Sequence, residues 1–272
     1  LVMAPITSVL FEFNKMMFIY LNALGVIFFL LLKAILNKKI ILKKTRIDTA
    51  ILFFLASQAL SVFFSLDRHT SFFGYYGRFN GGLLSSIAYI ALYYGWVLNL
   101  AAGRNVLDKV LKISLLSSVL AIFWGLPGKF GRDLSCLLFM GQFNNSCWTD
   151  QFRPAERMFS TLGQPNWLGA YLAINFFIGL YFLLKNTTLK RYAVVYLAYL
   201  ILNFSSILFT RSRSALLSVI VGLIIFAILV SWRYKVYLFQ QWWKIFALFL
   251  GLCLAMIFFK TGIQKIDRFL VI

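Results

Sequence analysis

Charge is what this 272-residue chain has least of: 13% of its residues are Asp, Glu, Lys or Arg, against 61% hydrophobic and 18% aromatic. That scarcity excludes a soluble globular fold, which could not hide so much apolar surface, and makes a bilayer the solvent. Acid is scarcer still, with eight Asp and Glu, and there is a single histidine, His69. No metal-ligand cluster, no nucleotide-binding glycine loop and no Ser/His/Asp order is visible, so neither a metal nor a cofactor is expected. The chain also lacks an internal repeat, a low-complexity tract and a paired G-x-x-x-G, its mid-span glycines Gly25, Gly95, Gly179, Gly222 and Gly251 standing singly. No basic tract is interleaved with aromatics, which removes nucleic acid from the expected partners.

Long apolar runs fill the rest. Segments of about 17 to 25 apolar residues suffice to cross a hydrocarbon core of ~30 Å. Eight are expected: Met16 to Leu36, Thr49 to Leu66, Leu83 to Ala102, Val110 to Leu126, Trp167 to Leu184, Tyr192 to Phe209, Ala215 to Trp232 and Ile245 to Phe259. The expected fold is all-α, a polytopic membrane helix bundle forming one transmembrane domain over 1–272, with a long extracytoplasmic loop over 127–165. The opening LVMAPITSVLF lacks the basic n-region and cleavage site of a signal peptide and reads as the tail of a truncated earlier span. The closing TGIQKIDRFLVI turns polar without a closing element, so a fragment is expected at both ends.

The formal net charge of +19 comes from 27 Lys and Arg. With the segment Asn37 to Asp48 on the cytoplasmic side, 15 of them lie inside and 12 outside, a weak bias for the positive-inside rule. The split by type is sharper, with 11 Lys and 4 Arg inside against 4 Lys and 8 Arg outside. Lysine is the usual topology anchor and meets anionic lipid head groups, whereas arginine is the planar, bidentate binder of phosphate. An arginine excess outside works against topology and needs a ligand or a structural partner.

The third, fifth and seventh spans run from outside to inside, which aims their positive dipole ends at the extracytoplasmic face. Arginines stand before each of these ends. GYYGRFNGG carries Arg78 between glycines that would let the backbone approach a ligand. RMFSTLGQPNW carries Arg157 and a turn in which Pro165 suits the first helical position, while Gln164 or Asn166 can satisfy free backbone N–H groups. TRSRS carries Arg211 and Arg213 beside capping hydroxyls. Together they outline an anion site at interfacial depth, suited to a lipid-linked phosphate or pyrophosphate. The competing reading is that these arginines anchor loops, pair with Asp67, Asp150 or Glu156, or snorkel to lipid phosphates.

In the same order along the chain, FEFNKMMFIYLNAL, GYYGRFNGGLLSSIAYI, RMFSTLGQPNWLGAYLAI and TRSRSALLSVIVGLIIF resemble the O-antigen ligase and polymerase superfamily of membrane glycosyltransferases. The R-x-F-[SG]-T-x-G-x-P-N segment and the [ST]-R-[SG] turn opening a helix are its most specific parts. The resemblance implies a GT-C-like membrane enzyme of the bacterial inner membrane with an extracytoplasmic active face. Such an enzyme moves a glycan from undecaprenyl-pyrophosphate to a glycolipid, glycan or protein acceptor. It implies that Arg157 and Arg213 hold the donor pyrophosphate, with Arg78 a weaker match, Asn166 the asparagine of the turn, and Arg211 at a position the family leaves variable. Related ligases place a catalytic histidine in a loop beyond the segment where this chain ends, and His69 does not match it.

A general base must still activate the acceptor, and Asp67, Asp133, Asp150, Glu156 and Asp267 are extracytoplasmic carboxylates, with no spacing that selects one. Cys136 and Cys147 enclose ten residues in the long loop. Oxidised, they would close a ring worth roughly 2 to 3 kcal/mol; two free thiols are the alternative. Between them, LLFMGQF suits a short amphipathic piece on the membrane or plain loop packing. Cys253 reads as a small apolar core residue, and Asn203, Ser205 and Ser206 as hydrogen-bonding groups between helices. A lipid-linked glycan transporter, or an inactive truncated family member, would fit much of the same pattern.

Overall fold

The computed structural model describes residues 12–39, 44–99, 104–148, 152–185, 190–233, 248–249 and 251–252. Among them all regular structure is helical and there is no strand. The helices are α1 (Phe13–Asn37), α2 (Asp48–Phe63), α3 (Arg68–Phe73), α4 (Leu83–Asn99), α5 (Arg104–Lys129), α6 (Leu134–Met140), α7 (Pro165–Lys185), α8 (Lys190–Thr210) and α9 (Arg213–Arg233), with a 3-10 turn at Ser160–Leu162 before α7.

This is a helical membrane protein, but the expected eight spans are corrected. Among the described residues four segments are long and apolar enough to cross a bilayer: Phe13–Asn37, Asn105–Lys129, Pro165–Lys185 and Tyr192–Thr210. Asp48–Phe63, Leu83–Leu98 and Arg213–Leu229 are apolar but shorter. At 1.5 Å per residue, the 16 residues of α2 reach only about 24 Å, short of the hydrocarbon core. The apolar run continued to Leu66 on paper, yet the chain leaves the helix after Phe63 and restarts at Asp67, which caps α3. Most of the expected eighth span, Ile245 to Phe259, lies outside the described residues.

The chain forms two compact units, Leu1–Asp108 and Lys109–Ile272. In the first, α1 lies against α4 where Gly95 leaves room for Val26; a Cβ there would stand 2.3 Å from Val26 Cγ1. Asp48 ties the start of α2 to α4, accepting from the Thr45 amide at 2.7 Å, the Thr45 hydroxyl and the Tyr94 hydroxyl at 2.9 Å. At the other end of α2, Asp67 caps α3 by accepting from the amide and hydroxyl of Thr70 at 3.1 and 2.5 Å. The Thr70 hydroxyl, then its amide, hold the Asp67 carboxyl below its ordinary range. His69 sits on this short helix with its ring 4.9 Å from that of Phe73, a packing contact.

In the second unit α7 is the most enclosed of the spans, with 61% of its apolar window buried. Phe182 stacks on Tyr196, Gly179 meets Tyr199 and Gly169 meets Thr210, so numbers rise on α7 as they fall on α8 and the two helices are antiparallel. Phe176, Leu172 and Leu183 pack with Leu200, Ile207 and Val219 in one core. Lipid competes for apolar surface as well as a neighbouring helix does, so close packing and internal hydrogen bonds must carry such an assembly.

A polar seam supplies those bonds. Ser114 donates to Asn175 Oδ1 at 2.8 Å, Tyr171 donates to Ser117 at 3.0 Å, and the hydroxyls of Ser118 and Tyr199 meet at 2.7 Å. Asn203 Nδ2 donates to Tyr199 at 3.0 Å. Asn203, Ser205 and Ser206 do not bridge helices as expected: Asn203 meets Tyr199 of its own helix, and Ser205 and Ser206 donate to the carbonyls of Ile201 and Leu202 at 2.8 Å, because a polar group four residues on reaches those partners first.

Asn203 Oδ1 is buried with no hydrogen-bond partner. Thermal unfolding in detergent is expected to register Asn203→Leu within about 1 kcal/mol of wild type, since it removes an orphaned acceptor together with one bond. Tyr199→Phe, which strips partners from both Ser118 and Asn203, should cost about 1 to 3 kcal/mol. A larger loss in the leucine variant would mean that Oδ1 has a partner after all.

Candidate functional site

The last turn of a helix leaves carbonyls without intrahelical donors, and α8 meets that need with an incoming strap. The Met158 amide donates to Phe209 O at 3.0 Å and Arg157 Nε donates to Thr210 O at 3.1 Å. A guanidinium at the negative end of the helix is also favourable electrostatically. Arg157 then reaches onward, its Nη2 donating to Asn166 Oδ1 at 3.1 Å at the start of α7. Two of its five N–H groups are spent on this clasp and three are left.

The α8 to α9 turn is tight. Arg211 adopts φ +49° with its amide donating to Leu208 O at 2.9 Å, occupying the left-handed position after the helix that usually falls to glycine. Placing a side chain there costs on the order of 1 kcal/mol. Buried Ser212 opens α9: its hydroxyl accepts from the Ala215 amide at 3.4 Å, and its own amide donates to Thr210 Oγ1 at 3.2 Å. Arg213 is the first residue of α9. Arg211 and Arg213 are exposed, and neither side chain has a hydrogen-bond or ion-pair partner among the described residues.

A fourth cation stands here that sequence reasoning passed over. Lys129, in the last turn of α5, donates to Ala155 O at 2.6 Å and Glu156 O at 3.1 Å, with its ammonium 5.8 Å above the Phe209 ring. Arg211 is close enough to repel its charge and Glu156 to offset part of that repulsion. All the sequence showed was a lysine closing an apolar helix, with nothing to mark its partners on the strap. Acid does little to neutralise the group, because Glu156 already pairs with Arg153 at 3.0 Å on the surface. What results is a turn ringed by Lys129, Arg157, Arg211 and Arg213.

Several expectations change in detail. Pro165 does begin α7, but the turn side chains do not cap it: Asn166 is engaged by Arg157, and Gln164 contributes its carbonyl, accepting from the Leu168 amide at 3.1 Å, while its side chain is exposed. Arg78 belongs to the first unit, where it pairs with Glu12 at 3.4 Å. The glycines of its loop serve the loop itself: a Cβ on Gly82 would stand 2.4 Å from Gly74 N, so the close approach is backbone to backbone. Neighbouring Phe79 accepts from the Tyr20 hydroxyl at 2.6 Å, tying the loop to α1.

The long loop folds over the end of α5. Asp133 is buried and caps α6, accepting from the Ser135 amide at 2.6 Å, which occupies the carboxylate structurally. Cys136 and Cys147 form a disulfide with Cα atoms 5.4 Å apart. The segment LLFMGQF is mostly the end of α6, and Leu137, Leu138, Met140 and Phe143 present an exposed apolar edge. Trp148 packs between Phe152 and Phe159, with ring centroids at 6.2 and 5.1 Å, leading the chain into the strap that carries Arg157. Asp150, Asp267 and Cys253 lie outside the described residues.

Compared with known families, curated proteins and solved structures, the chain matches none.

Proposed function

We propose that this chain is a membrane glycan transferase of the O-antigen ligase and polymerase type, moving a glycan from undecaprenyl-pyrophosphate to an acceptor on the extracytoplasmic face of the bacterial inner membrane. The observation that carries the reading is the group of Arg157, Arg211 and Arg213 at the α8 to α9 turn, with Arg211 and Arg213 unspent on any partner among the described residues. The motifs RMFSTLGQPN and TRSRS, on which the resemblance rests, are the segments that meet there.

In such a transfer the acceptor hydroxyl attacks the anomeric carbon, the carbon–oxygen bond to pyrophosphate breaks, and the acceptor proton leaves to a general base. Preorganised guanidinium groups stabilise the departing pyrophosphate most where charge grows. Arg213, whose side chain has no partner among the described residues and which stands at the positive end of α9, is suited to that role.

The test is transfer from an undecaprenyl-pyrophosphate glycan by chain reconstituted in lipid. Arg213→Gln is expected to lower turnover by about 10-fold or more. Its melting temperature should stay that of wild type, since an exposed side chain without partners contributes little to folding. Wild-type turnover in that variant would overturn the site, and binding of the donor without any transfer would point to a carrier of lipid-linked glycan.

A further inference from the structure

The strap that carries Arg157 is held on both sides. On one side the Met158 amide and Arg157 Nε cap α8. On the other, Lys129 Nζ takes the carbonyls of Ala155 and Glu156, the two residues directly before Arg157. Arg153, three residues earlier, is engaged with Glu156, and the amides of Glu156 and Arg157 both donate to Arg153 O at 3.0 Å, which folds the strap into a turn. Backbone position at Arg157 is therefore fixed by one ammonium from α5 and by the end of α8. The ammonium is poised above Phe209, whose carbonyl accepts from Met158, so both anchor points converge on one residue of α8.

We propose that Lys129 is a positioning residue: it sets the guanidinium of Arg157 for an anionic ligand by pinning the carbonyls of Ala155 and Glu156. The inference rests on the anion site proposed above and adds a residue that neither motif contains. An arginine that must spend Nε and one Nη2 proton on Thr210 and Asn166 offers a ligand only its remaining N–H groups, and these point correctly only while the strap is fixed. Direct attraction of ligand by the lysine charge predicts something different, an effect that persists whether or not Arg157 is present.

A double-mutant cycle separates the two, with inorganic pyrophosphate as the probe and the whole chain in lipid nanodiscs. Lys129→Met should weaken pyrophosphate binding by about 10-fold beside Arg157 but by less than about 2-fold in an Arg157→Gln background, a coupling of the size that contacting residues show. Lys129→Arg should restore most of the affinity, because it too can bridge two carbonyls. In parallel, hydrogen exchange at the Met158 amide should accelerate in Lys129→Met. Equal losses in both backgrounds, or unchanged exchange, would overturn the positioning role while leaving the anion site standing. Absence of pyrophosphate binding by the wild type would instead overturn the anion site, and Lys129 would then be a clasp of the strap alone.

Discussion

Arg157→Gln is expected to reduce glycan transfer by about 100-fold or more, and Arg157→Lys to recover little of it, the loss typical of removing a preorganised donor from a charge-stabilising site. Glutamine keeps hydrogen-bonding capacity without charge, and lysine keeps charge without the planar fork. Lysine cannot hold Thr210 O and Asn166 Oδ1 and still present two parallel N–H groups to a phosphate, so one function must be dropped. Folding should suffer modestly, by about 1 kcal/mol, because the lost bonds lie at the surface of a helix end. Measuring transfer and thermal unfolding on the same preparations decides the matter. Wild-type transfer in Arg157→Lys would mean that the residue only ties α8 to α7. A fall in stability large enough to explain the lost turnover would say the same.

Contrast with Arg213 sharpens that experiment. Arg157 is internally engaged and Arg213 is not, so the first should move activity and stability together and the second activity alone. If both arginines serve one ligand, the two losses in transfer should fall short of additivity, as they do for residues acting as a unit.

Length and hydropathy carried the long helices well, because Phe13–Asn37 and Pro165–Lys185 are nearly uninterrupted apolar runs in which periodicity hardly matters. They misjudged α2, because apolarity alone does not say where a helix stops. The stop at Phe63 is set by Asp67 and Thr70, a capping pair three residues apart that was legible as such. In α6 the same device, Asp133 before Ser135 with Gly141 in a left-handed turn at the far end, marks a seven-residue helix inside what read as loop.

The candidate site was legible as a set of arginines but not as a contact map. Nothing in RMFSTLGQPN announces that Asn166 would answer Arg157 instead of capping α7, since both options satisfy a polar group equally well on paper. Lys129 was hidden for a related reason. Its partners are backbone carbonyls twenty-six and twenty-seven residues away, and a carbonyl carries no sequence signature. Arg78 shows the converse, a motif arginine whose partner Glu12 is an ordinary acidic residue on another segment.

Gly169→Leu is expected to disrupt the second unit strongly, costing about 3 kcal/mol of stability and removing anion binding with it. A Cβ at this position would lie 2.7 Å from Ala215 Cβ, 3.2 Å from Ser212 Cβ and 3.3 Å from Thr210 Oγ1, all three of which belong to the α8 to α9 turn or the first turn of α9. Alanine alone must displace Ala215, a backbone-proximal atom that cannot rotate away, and leucine adds three further carbons where Ser212 makes its cap. Relief would come by pushing the start of α9 off α7, which shifts Thr210 O from under Arg157. Small residues at such a crossing are how helices come close without a hydrophobic drive between them. Pyrophosphate binding and unfolding of Gly169→Ala and Gly169→Leu, measured side by side, should therefore worsen together and in that order. A leucine variant that folds and binds like the wild type would show that α7 and α9 are not held at this distance, and the ring of cations around their shared turn would lose its structural basis.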